Sequence, residues 1–62
     1  MGSEFFLDEA DRHGIAAMEC DLAIDALIDA GLGSVPGLLS VIVALRDKHT
    51  GTAAEYRALA ER

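Results

Sequence analysis

Few side chains in this 62-residue chain could do chemistry, and their spacing decides how far each could go. Glu9 and His13 stand four apart, so an unbroken helix would carry both on one face. Such a pair could relay a proton or contribute to a metal site, but it is also the commonest form of a simple surface hydrogen bond. Cys20 follows His13 by seven residues and would share its helical stripe if the helix ran through Gly14. A thiol–imidazole pair is one reading of that spacing. A small buried thiol is the plainer one, because free cysteine packs as a compact hydrophobe. Two histidines and one cysteine cannot close a tetrahedral zinc site within one chain, and a single cysteine excludes an internal disulfide.

Other candidates fail on spacing. Gly31-Leu32-Gly33 leads only to Gly37, so the Gly-x-Gly-x-x-Gly fingerprint of a phosphate loop is missing, as is the strand that should precede it. Asp47-Lys48-His49-Thr50 reads as the end of a helix, where cations suit the exposed carbonyls. Tyr56 has no aromatic neighbour in the sequence. No catalytic constellation emerges, and the chain reads as a non-enzyme without a cofactor.

Charge is more informative. Residues 1–30 carry eight acids against Arg12 alone, a net −7, whereas residues 31–62 carry three acids against Arg46, Lys48, Arg57 and Arg62, a net +1. Together they give the formal −6 of the chain. A chain of this sign is repelled by phosphate backbones, which argues against direct nucleic-acid binding. Asp21, Asp25 and Asp29 lie four apart and fall on one helical stripe. That stripe is either a solvated face or a docking surface for a basic partner; calcium is not expected there because a straight row of carboxylates does not converge on a cation.

The elements that must position these residues are helical. Twenty large apolar residues and eleven alanines are a rich supply for so short a chain and exclude disorder as its main state. The pattern predicts three to four helices, over about residues 4–12, 15–30, 36–49 and 53–61, in a small all-α hairpin or bundle. Gly14 is read as a break or kink. Gly31 is the expected C-terminal stop of the second helix. Ser34 and Pro36 are placed as the cap and first turn of the third. Residues 38–45 contain a β-branched run that suits a strand equally well, but no second strand exists to pair with it, so a helix is expected. Thr52-Ala53-Ala54-Glu55 matches the capping box that would start the last helix.

One domain is expected over residues 6–62. Met1-Gly2-Ser3-Glu4-Phe5 reads as the product of two adjacent cloning sites and is set aside from the functional argument. No apolar run is long enough to span a bilayer and the start is not basic, so no membrane partner and a cytoplasmic setting are expected. The two central helices are apolar on most sides, which one short chain cannot cover. The expected outcome is a homodimer completing a four-helix core, with Leu22, Leu27, Leu38, Ile42 and Leu45 in it. The function expected from these features is a protein-interaction and oligomerisation module that tethers or regulates a larger partner. The alternative is an acidic inhibitor (an immunity protein, an antitoxin or a phosphate mimic) that occupies a basic protein surface through Asp21, Asp25 and Asp29.

Overall fold

The computed structural model describes residues 2–62, and Met1 lies outside them. Two helices make up the fold: α1 over Gly2–Asp29 and α2 over Leu38–Ala60. They fold back on each other as an antiparallel hairpin, with Phe6 beside Tyr56, His13 beside His49 and Asp21 beside Arg46. The hairpin measures 46 × 15 × 10 Å. Its radius of gyration is 14.2 Å, where a compact domain of this length would have about 10.6 Å.

The seam follows a strict alternation of three and four residues. On α1 the half-buried and buried positions include Phe6, Ala10, His13, Ala17, Cys20, Ile24 and Leu27. On α2 they include Leu39, Ile42, Arg46, His49, Ala53, Tyr56 and Ala60. This is the heptad pattern of a coiled coil, here closed within one chain. Among the described residues only Ala10 and Ala53 are fully covered, at 0% and 2% exposure. Their small side chains let the helix backbones come close between the open end and the middle of the hairpin.

The structure is all-helical, as the sequence predicts, but it has two helices where three to four were expected. The expected helices at 4–12 and 15–30 are one helix through Gly14, and those at 36–49 and 53–61 are one helix through Gly51. A glycine inside a helix costs only about 1 kcal/mol relative to alanine, whereas a break would expose several backbone groups and lose the packing of both outer segments. The ambiguous segment 38–45 is helical. Thr52 lies inside α2, so Thr52–Glu55 does not start a helix, and Asp47-Lys48-His49 sits in the middle of α2 instead of ending it. Nearby, the Thr50 hydroxyl donates to the Arg46 carbonyl at 3.0 Å, which satisfies a polar side chain within the helix.

Gly31 stops α1 as expected. Its φ of 80° is left-handed; its N–H donates to the Ile28 carbonyl at 3.0 Å, and the Leu32 N–H reaches the Leu27 carbonyl at 2.9 Å. These two bonds define a Schellman cap. The start of α2 differs from expectation. Gly37, also at φ 80°, is its N-cap and no side chain caps it, so Ser34 and Pro36 both stay in the connecting turn. α1 begins at Gly2, ahead of the expected start at about residue 4, and the Phe5 ring meets Tyr56 edge-on at 6.4 Å.

Candidate functional site

The polar and aromatic residues of the hairpin gather in its seam. Near the open end Phe5, Phe6 and Tyr56 form a cluster, with ring centroids 5.7–6.4 Å apart. Tyr56 also stacks on His13, at 5.8 Å and 16° between planes. Aromatic pairs in such arrangements contribute beyond the area they bury. Here they anchor the α1 N-terminal segment to the last turns of α2.

His13 and His49 come together in the next part of the seam. Their Nδ1 atoms are 2.8 Å apart, and both side chains are half-buried. One ring donates and the other accepts, so the pair holds only while one of the two Nδ1 atoms is free of a proton. Tyr56 fixes the face of the His13 ring, which makes the pair a positioned contact between the helices. Gly14, adjacent in sequence, leaves space used by Arg57, whose guanidinium would lie 3.8 Å from a Cβ at that position.

Arg46 is the third polar member. It donates to Asp21 at 3.0 Å across the hairpin and to Asp47 at 3.1–3.2 Å along α2. The hydrogen bonds to Asp21 and then to Asp47 push its pKa up from an already high value, so the guanidinium stays charged at any ordinary pH. The pair is well exposed to water, which screens it.

Several expected site residues are now placed. Glu9 and His13 do share a face of the unbroken α1, and Glu9 is half-buried, but the partner of His13 is His49. Cys20 is a free, half-buried thiol in the seam, about 10 Å along the axis from His13 and out of its reach. Among the described residues no three His, Cys, Asp or Glu side chains converge as metal ligands, and no pocket is enclosed. Asp21, Asp25 and Asp29 all lie exposed along α1; Asp21 is held by Arg46, while Asp25 and Asp29 form no ion pair among the described residues. Of the expected oligomer core, Leu27, Leu38 and Ile42 are half-buried within the hairpin, and Leu22 and Leu45 are 63% and 47% exposed.

Sequence reasoning missed the His13–His49 pair and the aromatic setting of Tyr56. The signal that could have found them is the three-four alternation that runs through both helices and places Phe6, His13, His49 and Tyr56 on facing seams.

No protein-family model, no curated protein and no solved structure matches this chain. Its functional reading therefore stands on its own geometry. No helix of the described residues is long and apolar enough to cross a membrane.

Proposed function

We propose that this protein is a non-catalytic interaction module that self-associates, two hairpins pairing into a four-helix core, and so tethers or regulates a larger partner. The observation that supports this reading is the apolar surface one hairpin leaves open. Among the described residues eleven large apolar side chains are at least 37% exposed, while the fully covered core is two alanines. The exposed area of 4459 Å² exceeds the roughly 3,800 Å² expected of a folded monomer of 6.5 kDa.

One flank of the hairpin is the better dimer face. Gly14 and Arg57 meet on one side of the seam, where Asp21 and Arg46 also lie. Helical spacing puts Ala16 and Ala23 of α1 with Leu38, Leu45 and Leu59 of α2 on the other. Val41, at 69% exposure, extends that apolar flank. Small residues on one helix and leucines on the other suit close packing of a second hairpin.

Light scattering on a sizing column, over about a hundredfold concentration range, tests the proposal. The expected mass is twice 6.5 kDa, falling to that of one chain in Val41→Asp with Leu45→Asp. A single-chain mass for the unaltered protein at every concentration overturns it.

A second reading keeps the acidic inhibitor in view. It is favoured by the two carboxylates of the stripe, Asp25 and Asp29, that have no ion partner among the described residues. Asp21 contributes less to it, being shared with Arg46. Both readings suit a cytoplasmic protein with one free thiol, Cys20.

A further inference from the structure

The face of α1 turned away from α2 carries a second stripe with the same alternation as the seam. Asp8, Asp11, Ile15, Met18, Leu22, Asp25 and Asp29 follow one another at intervals of three and four residues. At about 100° per residue their centre lies about 160° round α1 from the seam, and all seven are exposed. The three central side chains are large and apolar, at 57%, 61% and 63% exposure. Two aspartates flank them on either side. The three apolar residues span about 10 Å of the helix and the whole stripe about 32 Å.

An ordinary solvated helix face places no three large apolar side chains in a row at coiled-coil spacing. A seam that is apolar in the middle and acidic at both ends specifies its complement: a helix with an apolar centre and basic ends. We propose that this outer face of α1 docks such a helix, supplied by a different protein. Apolar burial of Ile15, Met18 and Leu22 provides the affinity, and the four aspartates select basic flanks and fix the register.

A second copy of the chain is a poor occupant. Paired with another α1 in either direction, the stripe sets aspartates against aspartates. No face of α2 carries an apolar centre between basic ends: its outward stripe reads Ser40, Ala44, Asp47, Gly51, Ala54 and Ala58, and its apolar flank reads Leu38, Val41, Leu45, Lys48, Thr52, Glu55 and Leu59. Arg46, the cation in the α2 seam, is already held by Asp21 and Asp47. The inference does not rest on self-association, because Ala16 and Ala23 of the proposed dimer face lie some 100° or more round α1 from the centre of this stripe.

The test uses the full chain and a labelled helical peptide of about 22 residues, long enough to cover the stripe at 1.5 Å per residue. The peptide carries leucines at three central positions spaced three and four apart, and arginines at the four positions that face Asp8, Asp11, Asp25 and Asp29. Its control has the same composition with leucines and arginines permuted, so that net charge and hydrophobicity are unchanged. Fluorescence anisotropy should show saturable binding at least tenfold tighter for the patterned peptide. Met18→Asp, an exposed position whose helicity is checked by circular dichroism, should abolish that binding. Asp8→Asn, Asp11→Asn, Asp25→Asn and Asp29→Asn together should weaken it at low salt and remove most of its salt dependence. Equal binding of both peptides means charge attraction alone and overturns the proposal, as does unchanged binding by Met18→Asp. Conversion of a dimer to a monomer by Met18→Asp would show that a second copy covers this face, and also overturns it. The mass of Val41→Asp with Leu45→Asp reports separately on the other flank, so the two readings fail independently.

Discussion

Among the described residues the shortest hydrogen bond between the helices is made by two residues that sequence alone leaves 36 positions apart. His13 and His49 share one hydrogen bond in a half-buried setting, with Tyr56 stacked on one ring. A net contribution of about 0.5–1.5 kcal/mol is usual for such a bond. Urea unfolding of His13→Ala, His49→Ala and the double variant should therefore give a coupling energy in that range, and a coupling near zero would reduce the pair to a chance approach. The alanine layer makes a second demand. Ala10 and Ala53 have almost no free surface, so Ala10→Leu or Ala53→Leu would have to push the helices apart, at a cost of about 1–3 kcal/mol. The same change at the exposed Ala54 should leave the unfolding midpoint almost unmoved. Comparing the three midpoints checks that the seam lies where the structure places it.

At the scale of the elements, the six glycines divide by backbone geometry. Gly31 and Gly37 have φ of 80°, where a side chain is strained, and they hold the ends of the connecting turn. Gly31→Ala or Gly37→Ala should each lose about 1–2 kcal/mol. Gly14 and Gly51 lie within helices; a Cβ at Gly51 meets nothing, and one at Gly14 meets only the flexible end of Arg57, at 3.8 Å. Gly14→Ala and Gly51→Ala should each gain about 0.5–1 kcal/mol through helix propensity. Thermal melts followed by circular dichroism distinguish the two groups by the sign of the shift. A loss at Gly14 or Gly51 would mean that the helices are interrupted there.

For the whole molecule, the slenderness of the hairpin is the governing fact. Two helices alone give each residue one neighbouring element, so an apolar residue outside the seam has nothing to bury against. If pairing of two hairpins covers the Leu38, Leu45 and Leu59 flank, stability is linked to concentration. The melting temperature should then rise steadily with protein concentration, and Val41→Asp with Leu45→Asp should lower it and remove that dependence. The Asp21–Arg46 ion pair belongs to the same scale, since it ties the acidic half of the chain to the basic half. Its contribution is open to solvent screening, so added salt should weaken it without dissolving the apolar seam.

What the sequence determined by itself is the helical character, the stop at Gly31 and the surplus of apolar side chains. Each follows from local spacing: three-four periodicity, a glycine after the last periodic residue, and the large apolar share of a short chain. The number of helices was not legible, because Gly14, Gly51 and the Thr52–Glu55 box are true local stop or start signals. Packing along a seam of about 32 Å outweighs them, as continuous backbone hydrogen bonding and the contacts of Phe6, His49 and Tyr56 exceed about 1 kcal/mol per glycine. Likewise, Glu9 and Cys20 were the partners that spacing offered His13, and only the fold-back of α2 supplied His49. The outer stripe of α1 stands between these cases. Its alternation is written in the sequence, but that it faces away from α2, and is therefore free, was decided by which of the two stripes α2 chose to cover. The stripe with alanines at its middle admits a close neighbour; the one with large side chains between aspartates would force apart its helices and bury charge.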